Sequence, residues 1–232
     1  MRMNGNAVLI TGGATGIGYS LAKYFHARGN KVLICGRRED RLAQAADKLP
    51  GIQAFRCDVT DLDSCVALHD HVRDFLPDLN ILINNAGIQR NIDLTRGIDE
   101  LIGGENEIRV NLQAPIYLSA LFTPMLSGRD NAAIVNVSSG LAFMPDYAVG
   151  MPIYHVTKAG LHAFSVVQRK QLSPLGIRVI EIIPPAVESE LNPEGRRGRS
   201  ATNSPYFMAS DEFVEKALAK MEQDIDEIRL GR

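Results

Sequence analysis

Residues 7–18 read AVLITGGATGIG, an apolar run that passes directly into a turn rich in glycine. The run predicts a buried strand, and the residues that follow Gly18 have the apolar spacing of a helix. Gly12, Gly16 and Gly18 therefore lie where a backbone turns tightly and can approach a ligand. The free N–H groups at the start of such a helix bind phosphate. We interpret the stretch as the phosphate loop of a dinucleotide site, with a plain strand-to-helix turn as the alternative.

The rest of the chain repeats this alternation. Apolar, β-branched runs recur at 31–35, 52–55, 81–84, 132–137 and 177–183, and helix-like segments lie at 17–28, 38–48, 64–75, 112–126, 154–172 and 211–223. Most runs are continuously apolar, which is typical of parallel strands buried on both faces. The pattern predicts an α/β fold, a doubly wound Rossmann-type parallel sheet with helices on both faces. No linker divides residues 1–232, so we expect one dinucleotide-binding and catalytic domain.

Composition narrows the class of partner. The chain has 232 residues, 45% of them hydrophobic, and a formal net charge of -2, so no basic field attracts nucleic acid or anionic lipid. No apolar run reaches the roughly 20 residues of a membrane helix, and residues 1–13 lack the features of a signal peptide. Three cysteines without CxxC spacing suggest reduced thiols rather than disulfides or a zinc site. We expect a cytoplasmic protein that acts on a small molecule, with no metal.

The second predicted strand ends in Cys35-Gly36-Arg37-Arg38, about 20 residues after the glycine turn. NAD-binding sites usually place an acid here for the ribose 2′-hydroxyl. Arg37 or Arg38 would instead pair with a 2′-phosphate. The sequence therefore favours NADP(H), with NAD(H) less favoured. The alternative is that both arginines begin a solvated helix.

Tyr154 and Lys158 stand four residues apart and so share one face of a predicted helix. A free tyrosine has a pKa near ~10, which a nearby cation lowers, and the oxidised nicotinamide would add a second positive charge. Tyr154 could then exchange a proton with a hydroxyl group as hydride moves at carbon, with Lys158 as its activator. A surface Tyr/Lys pair is the alternative. His155 and His162, near this face, are interpreted as groove or interface residues.

Taken together, these motifs resemble the short-chain dehydrogenase/reductase family, because residues 11–18 have the spacing TGxxxGxG and Tyr154 and Lys158 form YxxxK. The resemblance runs from Val8 to Val187. It implies an enzyme that transfers hydride between a nicotinamide and a carbonyl or alcohol carbon. The cofactor-binding residues that it implies, beyond the three glycines and two arginines, are Thr15, Ile17, Asp58, Val59, Asn85, Ala86, Gly87, Tyr154, Lys158, Val187 and Ser189.

The same resemblance completes the catalytic set. Ser139 follows the predicted strand 132–137 and would hydrogen-bond the reacting carbonyl oxygen, since ligands bind at the carboxyl ends of parallel strands. Its neighbour Ser138 is the alternative. Asn111 matches the family asparagine that binds a proton-relaying water, and a helix-kinking core Asn is its structural alternative.

Finer features point to one branch of the family and to its oligomers. The Pro184-Pro185 pair, SSGLAF at 138–143 and NIDLTRGIDEL at 91–101 resemble DltE-like bacterial oxidoreductases. Pro185 replaces a family glycine, which predicts a different turn there. Segment 189–210 corresponds to a substrate lid. The resemblance also implies a homodimer or homotetramer through the helices at 112–126 and 154–172.

Three other functions remain open at this point. A nucleotide-binding sensor or scaffold without turnover would keep the glycine turn but would not need the complete Ser, Tyr, Lys and Asn set. A sugar-nucleotide epimerase or dehydratase would need an added substrate domain, for which 232 residues leave no room. An enoyl reductase would have a longer tyrosine-to-lysine spacing.

Overall fold

A computed structural model describes residues 1–188, 191 and 207–230. Seven strands form one parallel sheet in the order β3-β2-β1-β4-β5-β6-β7. The strands are β1 (Ala7–Thr11), β2 (Lys31–Gly36), β3 (Gln53–Arg56), β4 (Ile81–Asn84), β5 (Ala133–Val137), β6 (Arg178–Ile183) and β7 (Glu227–Arg229). The order reverses between β1 and β4, and such a switch point is where open α/β sheets bind ligands.

Helices cover both faces of the sheet. They are α1 (Gly16–Ala27), α2 (Glu39–Lys48), α3 (Leu62–Phe75), α4 (Asp99–Ile102), α5 (Ala114–Leu126), α6 (Pro152–Leu172) and α7 (Ser210–Glu222). Successive residues of β1 face opposite sides, so the sheet has two buried clusters. Val8 packs in the cluster that contains Phe25 of α1 and Phe213 of α7. Leu9 packs in the other, with Leu68 of α3 and Phe122 of α5.

The predicted fold class is confirmed, and each of the six predicted strands exists within a residue or two of its expected ends. The strand β7, which follows the last predicted helix, was not predicted from the sequence; it pairs with β6 through Ile182 and Ile228. Within the described residues, no helix is long and apolar enough to cross a membrane. All three cysteines are free and buried.

Candidate active site

The glycine turn lies at the switch point of the sheet. Gly12 and Gly16 have φ values of +64° and +54°, a left-handed conformation that favours glycine. A Cβ on Gly12 would lie 2.9 Å from Cα of Ala86, so the turn also packs directly against the end of β4. Thr15 precedes α1 without a side-chain capping bond, which leaves the first N–H groups of that helix to a ligand. The predicted phosphate loop therefore has the backbone that a pyrophosphate requires.

Asn85 braces this turn from the neighbouring strand. Its Nδ2 donates to the carbonyl oxygens of Thr11 and Gly12 at 3.0 and 3.2 Å. The N–H groups of Asn85 and Ala86 both donate to Oγ1 of Thr11 at 3.0 Å. The structure thus brings the predicted residues 85–87 against the glycine turn. Thr11, which the sequence reasoning did not name as a site residue, accepts both of these hydrogen bonds and so joins the two segments.

The end of β2 places two arginines at the adenosine side of the turn. Nη2 of Arg38 lies 3.3 Å from Oγ1 of Thr15, so this side chain reaches the phosphate loop. Arg37 pairs with Glu105, whose Oε2 lies 2.8 Å from its Nη2. Open space surrounds the position that a Cβ would take on Gly36. The donor set and this space fit the ribose and 2′-phosphate of a dinucleotide.

Asp58 and Val59 follow β3 at the same edge. Oδ1 of Asp58 accepts hydrogen bonds from N and Oγ1 of Thr60 at 2.9 and 2.8 Å. Burial opposes ionisation of this carboxyl, but the two bonds from Thr60 outweigh it and lower the pKa of Asp58. Val59 lines a cavity of about 200 Å³ together with Cys65 and Tyr117. The charges of Arg37 and Arg56 also lower the pKa of Asp58, so this carboxyl lies within electrostatic range of the arginine that follows β2.

Three of the predicted catalytic residues meet at the end of β5. Tyr154 and Lys158 are buried on one face of α6, with 4% of each residue exposed. The side chain of Ser139 lies beside the hydroxyl of Tyr154. Nζ of Lys158 lies 5.8 Å from the centre of the tyrosine ring and donates to the carbonyl oxygen of Val137 at 2.9 Å. The arrangement brings a hydroxyl pair and an ammonium to one point.

The expected lowering of the tyrosine pKa is not what this structure shows. Burial is the main reason that the pKa of Tyr154 is raised to about 12; Ser139 opposes the rise, and the carboxylate of Glu107 contributes to it. Burial also lowers the pKa of Lys158 to about 8, against an opposing effect of Glu181. Desolvation disfavours both charged forms and is the largest influence on each pKa. The sequence pattern showed the pair but not the depth of its burial.

Asn111 lies in a π-helical segment, Arg109–Gln113, that leads into α5. Its Oδ1 accepts from N of Ile88 at 2.9 Å, and its Nδ2 donates to O of Ile88 and Oγ1 of Thr157 at 2.8 and 3.2 Å. The side chain therefore uses three of its four hydrogen-bonding positions within the protein. A Cβ on Gly87 would lie 3.3 Å from Oδ1 of Asn111 and 3.6 Å from Nζ of Lys158, which places the two side chains close together.

A buried carboxylate behind the site was missed by the sequence reasoning. Glu181 is fully buried on β6; Oγ of Ser138 donates to its Oε1 at 2.5 Å, and Nδ1 of His162 lies 2.7 Å from its Oε2. Ser138 thus faces away from Tyr154, and Ser139 faces toward it. His162 ties α6 to β6 one turn beyond Lys158. The only sequence signal was an acid inside an apolar strand, which needs a partner when buried.

The segment after β6 differs from the rest of the edge. The carbonyl oxygen of Pro184 accepts from N of Gly140 at 2.8 Å, which fixes the turn beside Ser139. Val187 forms a parallel bridge with Met208, made by the carbonyl of Ala186 and the N–H of Glu188. Ser189 lies outside the described residues, as do residues 190 and 192–206 of the predicted lid.

Comparison with known proteins agrees with this geometry. The family model for short chain dehydrogenase matches residues 6–200. The uncharacterized oxidoreductase DltE of Bacillus subtilis (strain 168) is 46% identical over 228 residues, which cover 98% of this chain and 89% of that protein.

Two solved structures share the fold. A short-chain dehydrogenase from Sphingobium yanoikuyae in complex with NADPH has a TM-score of 0.83 and 32% identity, covering 96% of this chain and 86% of that one. A short-chain dehydrogenase/reductase from Burkholderia phymatum in complex with NAD has a TM-score of 0.84 at 19% identity, covering 98% and 89%. The chain therefore belongs to the short-chain dehydrogenase/reductase family, oxidoreductases that act on alcohol and carbonyl groups.

Proposed function

We propose that this protein catalyses NADP(H)-dependent hydride transfer at a carbonyl or alcohol carbon of a small molecule. The observation that carries the proposal is the buried pair of Tyr154 and Lys158 beside Ser139, with Nζ of Lys158 5.8 Å from the centre of the tyrosine ring. This group lies at the carboxyl edge of the sheet, beside the glycine turn and Asn85. Acid/base chemistry and a nucleotide site thus share one edge.

Bound NADPH would supply the hydride that adds to the carbonyl carbon. Tyr154 donates its proton to the carbonyl oxygen, where negative charge develops, and is left as a phenolate. Its high pKa in the free protein keeps the proton in place at neutral pH. Ser139 donates a hydrogen bond to the same oxygen, and the ammonium of Lys158 stabilises the phenolate. In the oxidation direction, the phenolate accepts the hydroxyl proton.

Asn111 and Lys158 have further roles in this proposal. Nζ of Lys158 is held by the carbonyl oxygen of Val137 and retains two further donors for ribose hydroxyls. Asn111 anchors Ile88 and Thr157 around the lysine and would hold the water that returns a proton to it. The substrate class is a small carbonyl or alcohol compound. A screen of NADPH oxidation against aldehydes, ketones and quinones would identify it.

Gly36→Asp is expected to reverse the cofactor preference from NADP(H) to NAD(H). The space around Gly36 admits the side chain, and its carboxylate would repel a 2′-phosphate and accept the ribose hydroxyl. Fluorescence titration of both reduced cofactors measures the change, and Gly36→Asn is the matched control because it fills nearly the same space without charge. Tighter binding of NADH than of NADPH by the unaltered protein would contradict the proposed preference.

A further inference from the structure

The adenosine side of the proposed cofactor site contains a carboxylate that the sequence did not reveal. Nη2 of Arg37 donates to Oε1 and Oε2 of Glu105 at 3.1 and 2.8 Å. About half of each side chain is exposed, at 46% for Arg37 and 51% for Glu105. Glu105 comes from the segment between α4 and Asn111. Arg37 is therefore already paired with an anion in the free protein.

The side chain of Arg90 holds the backbone of Glu105 in place. The guanidinium of Arg90 donates to the carbonyl oxygens of Glu100, Leu101 and Glu105 at 2.7, 3.1 and 3.2 Å. It passes so close to the chain that a Cβ on Gly104 would lie 2.9 Å from its Cζ. The backbone of Glu105 is thus part of a braced turn.

This turn is also tied to the interior near the proposed catalytic centre. The backbone N–H of Arg90 donates to Oε1 of Glu107 at 3.0 Å, and Glu107 is buried. Glu107 acts electrostatically on Tyr154. The segment that presents Glu105 to Arg37 is therefore fixed at its other end beside the proposed acid/base.

A guanidinium pairs strongly with either a carboxylate or a phosphate, and Glu105 occupies Nη2 of Arg37, so a phosphate that binds this nitrogen must displace the carboxylate. A 2′-phosphate beside Glu105 would also meet a like charge. NADH carries a hydroxyl at this position and would leave the pair of Arg37 and Glu105 intact. The carboxylate of Glu105 thus weakens the binding of NADP(H) and leaves the binding of NAD(H) unchanged.

We propose that Glu105 is a specificity-determining residue. Its carboxylate competes with the 2′-phosphate of NADP(H) for Arg37 and so reduces the preference of the protein for NADP(H) over NAD(H). This inference rests on the proposed NADP(H) function. An exposed ion pair of this kind corresponds to a change of at most about five-fold in an equilibrium constant, and removal of the like charge adds to it. The expected gain in NADPH affinity without the carboxylate is about three- to ten-fold.

The test is a double-mutant cycle on cofactor dissociation constants, measured by fluorescence titration of NADPH and of NADH at fixed ionic strength. Glu105→Gln should bind NADPH about three- to ten-fold more tightly than the unaltered protein and change NADH by less than two-fold. In the Arg37→Ala background, the same substitution should give at most half of that gain, on a logarithmic scale. Glu100→Gln is the matched control, since Glu100 pairs with Arg96 on the same segment; it should change neither constant.

Three results would overturn the proposal. Unchanged NADPH affinity in Glu105→Gln, with a loss in Arg37→Ala, would show that no competition occurs while NADP(H) binding through Arg37 stands. Weaker NADPH binding in Glu105→Gln would show that the carboxylate orients Arg37 instead. An equal gain with and without Arg37 would show general charge repulsion. Failure of the proposed function is separate, because it appears in the unaltered protein as tighter binding of NADH than of NADPH.

Discussion

At the scale of single residues, burial controls the pKa values of Lys158 and Tyr154. Both are almost fully buried, and burial disfavours the ammonium and the phenolate alike. The pKa of Lys158 falls to about 8, and Glu181 on β6 opposes the fall. Above that pH, Lys158 loses its proton, and the positive charge that stabilises the phenolate is lost with it. Tyr154 stays protonated over the same range, because its own pKa rises to about 12.

We therefore predict that kcat/KM for NADPH in carbonyl reduction is level below about pH 8 and falls above it. The quotient kcat/KM reports groups of the free enzyme, so the pKa of Lys158 near 8 is the relevant value. Glu181→Gln removes the charge that raises this pKa, and should move the alkaline limb to lower pH. Steady-state rates in overlapping buffers of constant ionic strength would measure both effects.

Glu227→Gln serves as the control for this profile. Glu227 faces Glu181 across the β6–β7 register but is exposed, so solvent screens its charge. It should leave the limb where it is. A profile that stays level to pH 10 in the unaltered protein would refute the role of the Lys158 charge.

At the scale of elements, the sequence predicted what depends on local pattern. Buried parallel strands are continuously apolar, which is why the first six strands could be found. β7 was missed because it is an edge strand of three residues, in which only Ile228 is buried between exposed Glu227 and Arg229. Such a segment carries too short an apolar pattern to separate it from a loop. The helix α4 was missed for the same reason, because its four residues are too few to show the apolar spacing of a helix.

The candidate site divides in the same way. The glycine turn and the pair of Tyr154 and Lys158 are motifs within short stretches of sequence, so the spacing of their residues was enough to identify them. The pair of Arg37 with Glu105 joins residues 68 positions apart, and that of Ser138 with Glu181 joins residues 43 apart. These contacts exist only once the sheet order is set. The sequence named Ser139 and left Ser138 as the alternative, because adjacent serines differ only in which side of the strand end they face; the contact of Ser138 with Glu181 appears only in the structure.

At the scale of the whole molecule, the parallel sheet gathers the carboxyl ends of its strands at one edge, where the proposed cofactor and catalytic residues meet. The far sides of α5 and α6 remain partly apolar in the single chain. Tyr117, Val156 and Val167 are 46%, 59% and 63% exposed. Phe122 of α5 is fully buried, and these three exposed side chains form the apolar stripe left in solvent.

We predict a homodimer or homotetramer that buries this stripe, because apolar patches of this kind mark association surfaces. Light scattering should give two or four times the 25.4 kDa of one chain at micromolar concentration. Val167→Asp would place a charge in the stripe and should lower the mass, whereas Lys170→Asp, at an exposed position of the same helix, should not. A monomer mass for the unaltered protein would refute the interface.

The cytoplasmic location also stays a prediction.

The central claim is that Tyr154 is the acid/base of an oxidoreductase, and Tyr154→Phe tests it most directly. The change removes only the hydroxyl and keeps the buried ring, so the fold and NADPH binding should persist, with a dissociation constant within two-fold. Using the fastest carbonyl substrate from the panel, we expect kcat to fall by about 10²–10⁴, the usual worth of a general acid. A variant that binds NADPH and keeps most of the parent kcat would contradict the account.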